Sequence, residues 1–257
     1  MISLGPDSFY SAKLRIERAA EHVEKLKAEI DEFFAENPYT RVAEPDSDGV
    51  HDIYKLKVSK RFPLRWRVWA TEIIEHLRAS LDHATWAAAY LSTGIADIEQ
   101  AAFPFAATAA DLENSIRRRS KNVPAEILTV LRRFKPYEGG NRTLFILNDL
   151  CNLSKHALVA FVAGATAYHE IGGLKVGEPF ELYDPVWDRE KNEIKYARVK
   201  RGADFQHEFR VGVYIALQYR EHTSTEPAIE ALREMGSEVE RIVEAIETES
   251  RKIGLLE

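Results

Sequence analysis

Residues 143–168 read TLFILNDLCNLSKHALVAFVAGATAY, and the apolar period changes within this stretch. Up to about Leu158, Leu144, Leu147, Cys151 and Leu158 fill one side of a helix while Ile146, Leu150 and Leu153 fill the adjoining side. That spacing predicts a helix buried on two sides. From Leu158 the alternation has period two, and the strand candidates LVAFVAGATAY, PFELYD, NEIKYARVK and FQHEFRVGVYIALQY run to Tyr219 between Gly-rich or DREKN turns. The pattern predicts an antiparallel β meander over 158–219.

Before this switch the chain is mainly helical. Residues 9–35 place Ile16, Ala19, Val23, Leu26, Ile30 and Phe33 on one stripe, ending before Asn37 and Pro38. VAEPDSDGVHDIYKLKVS then predicts a hairpin at about 40–60, turning at DSDG, with Tyr54, Leu56 and Val58 alternating with Lys55 and Lys57. Residues 64–92 set Trp66, Trp69, Ile73, Leu77, Leu81, Ala84, Ala88 and Leu91 on one face, and Gly94 ends the helix. Thr108 with Asp111 three places on predicts a helix over 108–120, a shorter one runs from about Pro124 to Phe134, and PYEGGN breaks it.

After the strands, residues 227–252 carry Ile229, Leu232, Val239, Ile242, Val243 and Ile246 as a narrow heptad-like seam. Such a seam packs on the first helix or on a second copy, so a homodimer is an expectation. Helices first, strands later and a closing helix predict an α+β fold, a bundle of long amphipathic helices with an antiparallel meander. No linker-like stretch interrupts 42–219, which predicts one domain over 1–257: a helical part at about 9–157, the meander, and the last helix.

Composition narrows the function classes. Of 257 residues, 45% are apolar and 30% charged, ordinary values for a soluble globular chain. The single cysteine, Cys151, excludes an intrachain disulfide and fits a reducing compartment, the cytosol. The longest apolar run, Ala157–Tyr168, is too short to cross a bilayer, so no membrane role is expected. A net charge of −6 argues against a wholly basic surface, but Arg117, Arg118, Arg119, Lys121, Arg132, Arg133 and Lys135 form a local basic patch.

Two helices carry polar stripes on otherwise apolar faces: Arg78, Asp82 and His83 on one, and Asp149, Asn152, Lys155 and His156 on the other. A polar group in such a place must be satisfied or used. If the stripes face one another they line a cleft between His83 and His156. His76 shares a face with His83, seven residues on, and Glu72 is four residues from His76, within reach to orient it.

Arg78 and His83 form R-x4-H within HLRASLDHATW, and on these residues the chain resembles the HEPN superfamily of helical, mostly metal-independent ribonucleases and nucleotide-associated domains. The resemblance implies action on RNA at a dimer cleft, with His83 as acid/base and Arg78 on phosphate. On an ideal helix the two lie about 140° apart, so only the long arginine stem brings them together. More broadly, PLRWRVWATEIIEHLRASLDHATWAAAY, FPF and LNDLCNLSKHALV are similar to a group of uncharacterised bacterial proteins with LRxxLDHxxW and NxxKH segments, over roughly residues 10–160. That similarity implies architecture and no mechanism.

The expected function is therefore a HEPN-like, metal-independent ribonuclease or binder of RNA phosphate. His83 and His156 are the acid/base candidates, Arg78 and Lys155 contact phosphate, and Asp82, Asn152, Asp149 and His76 complete the ligand-binding set. Two rival readings stand beside it. One is a non-catalytic ligand-binding or interaction protein whose polar groups form an internal network. The other is a metal enzyme using His76 or His83 with Asp149 and His156. H-x-x-x-H, E-x-x-H, C-x-x-C, P-loop, G-x-G-x-x-G and G-x-S-x-G signatures are absent, so no cofactor is expected.

Overall fold

A computed structural model describes residues 9–256 apart from 96, 155–158, 178, 185, 186, 189, 190, 192, 220, 221, 224 and 225, with side chains outside 154, 160, 163–176, 206–213, 219, 222 and 223. The fold is α+β. In order, the elements are α1 (Tyr10–Ala35), β1 (Tyr39–Pro45), β2 (His51–Val58), α2 (Leu64–Thr93), α3 (Leu112–Arg119), α4 (Ala125–Arg133) and α5 (Arg142–Ser154). Then come β3 (Ala160–Val176), β4 (Phe180–Leu182), β5 (Trp187–Asp188), β6 (Glu193–Lys200), β7 (Phe205–Tyr219), β8 (His222–Thr223) and α6 (Ala228–Lys252). None of the described helices is long and apolar enough to cross a membrane.

The chain groups into two compact units. The helical unit comprises Met1–Leu26, Arg65–Val159 and Ile229–Glu257; the β unit comprises Lys27–Leu64 and Ala160–Ala228. In the helical unit α2 is the central element. Trp66, Ile73, Leu77, Leu81, Ala84 and Ala88 are all buried, as its apolar stripe predicts, and Gly94 closes it with φ +68°, its N–H donating to Tyr90 O at 2.7 Å. Leu144, Leu147 and Leu150 of α5 are buried as well. The apolar seam of α6 is buried along its whole length and lies beside α1: Lys13 pairs with Glu247 at 2.6 Å and Glu24 with Arg233 at 2.7 Å, so the two helices run antiparallel.

The start predicted at Thr108 takes another form. Thr108 Oγ1 donates to Asp111 Oδ2 at 2.7 Å, and a single 3₁₀ turn, Ala109–Asp111, precedes α3 with no side-chain cap on the backbone. The basic patch is split between two helix ends, with Arg117, Arg118 and Arg119 in the last turn of α3 and Arg132 and Arg133 in that of α4. There they oppose the negative end of each helix dipole.

The β unit is antiparallel throughout, as predicted, but the strands do not form a simple meander. The hairpin β1–β2 extends through β6 to β4, with β5 also on β6, while β7 pairs with β3 on one side and β8 on the other. Two physical reasons account for this. A lone two-stranded hairpin is marginal in water, and β6 gives β2 a second partner. The 17-residue β3 also needs a long partner for its backbone, which the 15-residue β7 provides and the 3-residue β4 does not. The hairpin turns at Gly49, φ +72°, with Asp48 Oδ1 accepting from the amides of Val50 and His51. Arg198 of β6 fastens that turn through Asp46 at 2.7 Å and Asp48 at 2.6 Å. Tyr196, Ala197 and Val199 form a core under Tyr54, Phe180 and Phe205.

Candidate functional site

Within the helical unit α1 and α2 meet along a polar seam. Ser11 Oγ lies 2.6 Å from His83 Nδ1, Ser80 Oγ donates to Ala12 O at 2.8 Å, Arg15 Nη1 lies 3.4 Å from His76 Nδ1, and His22 Nδ1 lies 3.4 Å from Glu72 Oε2. Numbers rise on one helix as they fall on the other, so the helices are antiparallel. Ser11, Arg15 and His22 have the spacing i, i+4, i+11, and so do Glu72, His76 and His83. Residues so spaced stay within about 40° of one another around a helix, which puts each set on one face.

Arginine only donates hydrogen bonds, so Nδ1 of His76 facing Arg15 is the unprotonated nitrogen and Nε2 carries the proton. Burial, and after it the charges of Arg15 and His22, hold the His76 pKa below the ordinary histidine value. His83 is lowered in the same way, by burial first and Arg15 next, with Asp82 opposing. One guanidinium thus acts on two imidazoles and favours the neutral form of both. His22 stacks edge-on against His76, centroids 5.9 Å apart, and its Nδ1 is near Glu72 without the alignment of a hydrogen bond. Glu72 therefore sits at His22, not in the role of orienting His76. Ser11 is exposed and Arg15, His22, Glu72, His76 and His83 are half-buried, so solvent reaches the seam.

The other expected residues are placed differently. Arg78 is buried, its guanidinium 4.3 Å over the ring of Phe105 and Nη1 2.6 Å from Asp82 Oδ1, a close ion pair not aligned as a hydrogen bond. Asp82 Oδ1 also accepts the Phe103 N–H at 2.8 Å. Together the two side chains fasten the FPF segment to α2. Arg78 and His83 thus turn to different neighbours, in keeping with their 140° separation.

On α5, Asp149 is buried and Asn152 exposed. Lys155 and His156 lie outside the described residues. Just beyond them both backbone groups of Val159 are held by α2, Arg67 Nε donating to its carbonyl at 3.0 Å and its N–H donating to Thr71 Oγ1 at 3.3 Å. Among the described residues no three His, Cys, Asp or Glu side chains converge as a metal site.

Ser11, Arg15 and His22 escape a reading centred on α2 and α5. The signal that finds them is the matched i, i+4, i+11 spacing on two long helices. No family model, curated protein or solved structure matches the chain.

Proposed function

We propose that the helical unit acts on cytosolic RNA as a metal-independent phosphodiesterase through the α1/α2 seam. His83 is the general base, Arg15 the phosphate ligand and His76 the general acid. The observation that carries this reading is Arg15 on the seam, 3.4 Å from His76 Nδ1, with two imidazoles whose pKa values are held low by burial and after it by Arg15. In this reading Nδ1–H of His83 donates to Ser11 Oγ, 2.6 Å away, which leaves Nε2 to take the proton of a ribose 2′-hydroxyl. The 2′-oxygen attacks phosphorus, the bond to the 5′-oxygen breaks, and that oxygen takes a proton from His76. A phosphate drawn to Arg15 offsets the charge that, after burial, holds the His76 pKa low and so favours its binding that proton beforehand. The seven residues from His76 to His83 span about 10 Å of helix, room for a phosphate between the rings.

In this reading Arg15 takes the phosphate role that the HEPN resemblance assigns to Arg78. Both catalytic histidines come from one chain. A homodimer, if formed, docks by a surface other than the α6 seam, whose apolar residues are buried in their own unit. The test is cleavage of labelled single-stranded RNA in excess chelator. Wild type should yield 2′,3′-cyclic phosphate and 5′-hydroxyl ends, and His83→Ala and Arg15→Ala should each lose at least about 100-fold. Undiminished cleavage by His83→Ala, or none by wild type in chelator, overturns the reading.

A second reading, a binder of a small apolar ligand, is favoured by a cavity of about 320 Å³ among α1, α2 and α6, walled by Ala19, Val23, Ile73, Leu77, Leu232 and Gly236.

A further inference from the structure

A second hollow lies away from the seam residues, where the end of α4 and the loop after it face α6. It measures about 520 Å³ and is lined by Arg133, Phe134, Lys135, Gly140, Asn141, Arg241 and Ala245. Its lining holds three cations and no acid. Arg133 and Lys135 are exposed, and neither has an acidic partner among the described residues. Neighbouring Arg132 is already neutralised by Glu113, at 2.7 and 3.0 Å. The carboxylate closest in role is Glu238, and it is spent: both its oxygens take Arg241, at 2.9 and 2.7 Å, and Oε1 also accepts from Asn141 Nδ2 at 2.5 Å. Two positive charges are left without a counter-charge.

The wall is built rather than incidental. Arg241 is pinned over the Phe134 ring at 4.7 Å. Lys135 has φ +49°, a left-handed backbone uncommon for lysine, and its carbonyl is held by the amides of Tyr137 at 2.8 Å and Asn141 at 2.9 Å. Gly140 is packed so closely on Lys135 that a Cβ there would sit 2.4 Å from the Lys135 carbonyl oxygen. The loop therefore folds back on Lys135, and Lys135 and Arg133 border the same hollow.

We propose that this hollow is a binding site for an organic diphosphate, its two or more negative charges matched by Arg133 and Lys135. A single inorganic phosphate would leave most of the volume empty, whereas 520 Å³ is within the usual span of small-molecule sites, about 300–1,000 Å³. The guanidinium gives charge-assisted hydrogen bonds to phosphate oxygens and the lysine a point charge.

The test is calorimetric titration of the full chain with pyrophosphate and, in parallel, with ADP. In Arg15→Ala, which removes the phosphate ligand of the seam, pyrophosphate should bind at one site per chain and weaken at least about tenfold on adding Arg133→Gln/Lys135→Gln. ADP tighter than pyrophosphate assigns a nucleoside diphosphate, and equal affinities assign the diphosphate group alone. A second measurement needs no variant: an amine-reactive label on wild type, mapped by mass spectrometry, should modify Lys135 and be blocked there by pyrophosphate. Absent pyrophosphate binding, binding that survives the double substitution, or labelling of Lys135 indifferent to pyrophosphate overturns the proposal. Since Arg15→Ala leaves this hollow intact, failure here and failure of the phosphodiesterase reading are separate results.

Discussion

Replacing Asp82 by alanine removes two contacts at once. Arg78, only 8% exposed, loses the carboxylate 2.6 Å away, and the Phe103 amide loses its acceptor at 2.8 Å. Breaking a buried ion pair costs about 3–5 kcal/mol, and the lower end applies because the Asp82 side chain is one-third exposed. An amide left without its acceptor adds about 1 kcal/mol. The expected loss is therefore about 4 kcal/mol, or a fall in melting temperature of about 8–16 °C for a chain of this size. Asp82→Asn keeps an oxygen for Phe103 but not the charge, so it should lose about half as much. Urea unfolding followed by tryptophan fluorescence reads this directly, because Trp66, Trp69 and Trp86 all lie on α2. In Asp82→Asn the His83 pKa should fall further, because the charge that opposes its lowering is gone. If Asp82→Ala unfolds within about 1 kcal/mol of wild type, the fastening role given to Arg78 and Asp82 is wrong.

Three further outcomes are expected. Because the His76 and His83 pKa values are lowered on folding, the unfolded chain binds more protons between those values and about 6.5. The stability the pair contributes is full above that pH and is lost as pH falls through the folded values, so His76→Gln/His83→Gln should flatten the decline from pH 7 to 5; an unchanged slope counts against it. In the β unit, Lys55 lies 2.9 Å from buried Glu193 and 2.5 Å from Glu44, and Lys55→Met should cost about 2–3 kcal/mol in equilibrium denaturation, moderated by Lys57 at 3.2 Å from Glu193. Gly236 lies inside α6 with open space where a Cβ would go, so Gly236→Ala should stabilise by about 0.5–1 kcal/mol, and a loss of stability would show the site to be strained.

The helices were legible because each carries its own periodic stripe. Trp66, Ile73 and Leu77 are buried where a 3.6-residue repeat puts them, and the bounds of α2 follow from Pro63 and Gly94. Strand pairing was less so. Period two tells which residues share a face but not which strand lies alongside, so the join of the hairpin to β6 and of β3 to β7 had no local signal. The site divides the same way. His76 and His83 were found from α2 alone, while Arg15 and Ser11 emerge only when α1 is laid antiparallel beside it. For Arg78 the helical angle already pointed away from His83, and its neighbour at i+4, Asp82, took it.

The measurement that bears most directly on the seam is a histidine side-chain NMR titration of the whole chain, alone and with a non-cleavable RNA fragment carrying 2′-deoxy linkages. Alone, His76 and His83 should titrate below the ordinary histidine range, and with the fragment bound both should titrate higher as phosphate offsets Arg15. If both rings titrate identically with and without the fragment, phosphate does not dock at Arg15 and the proposed chemistry has no site.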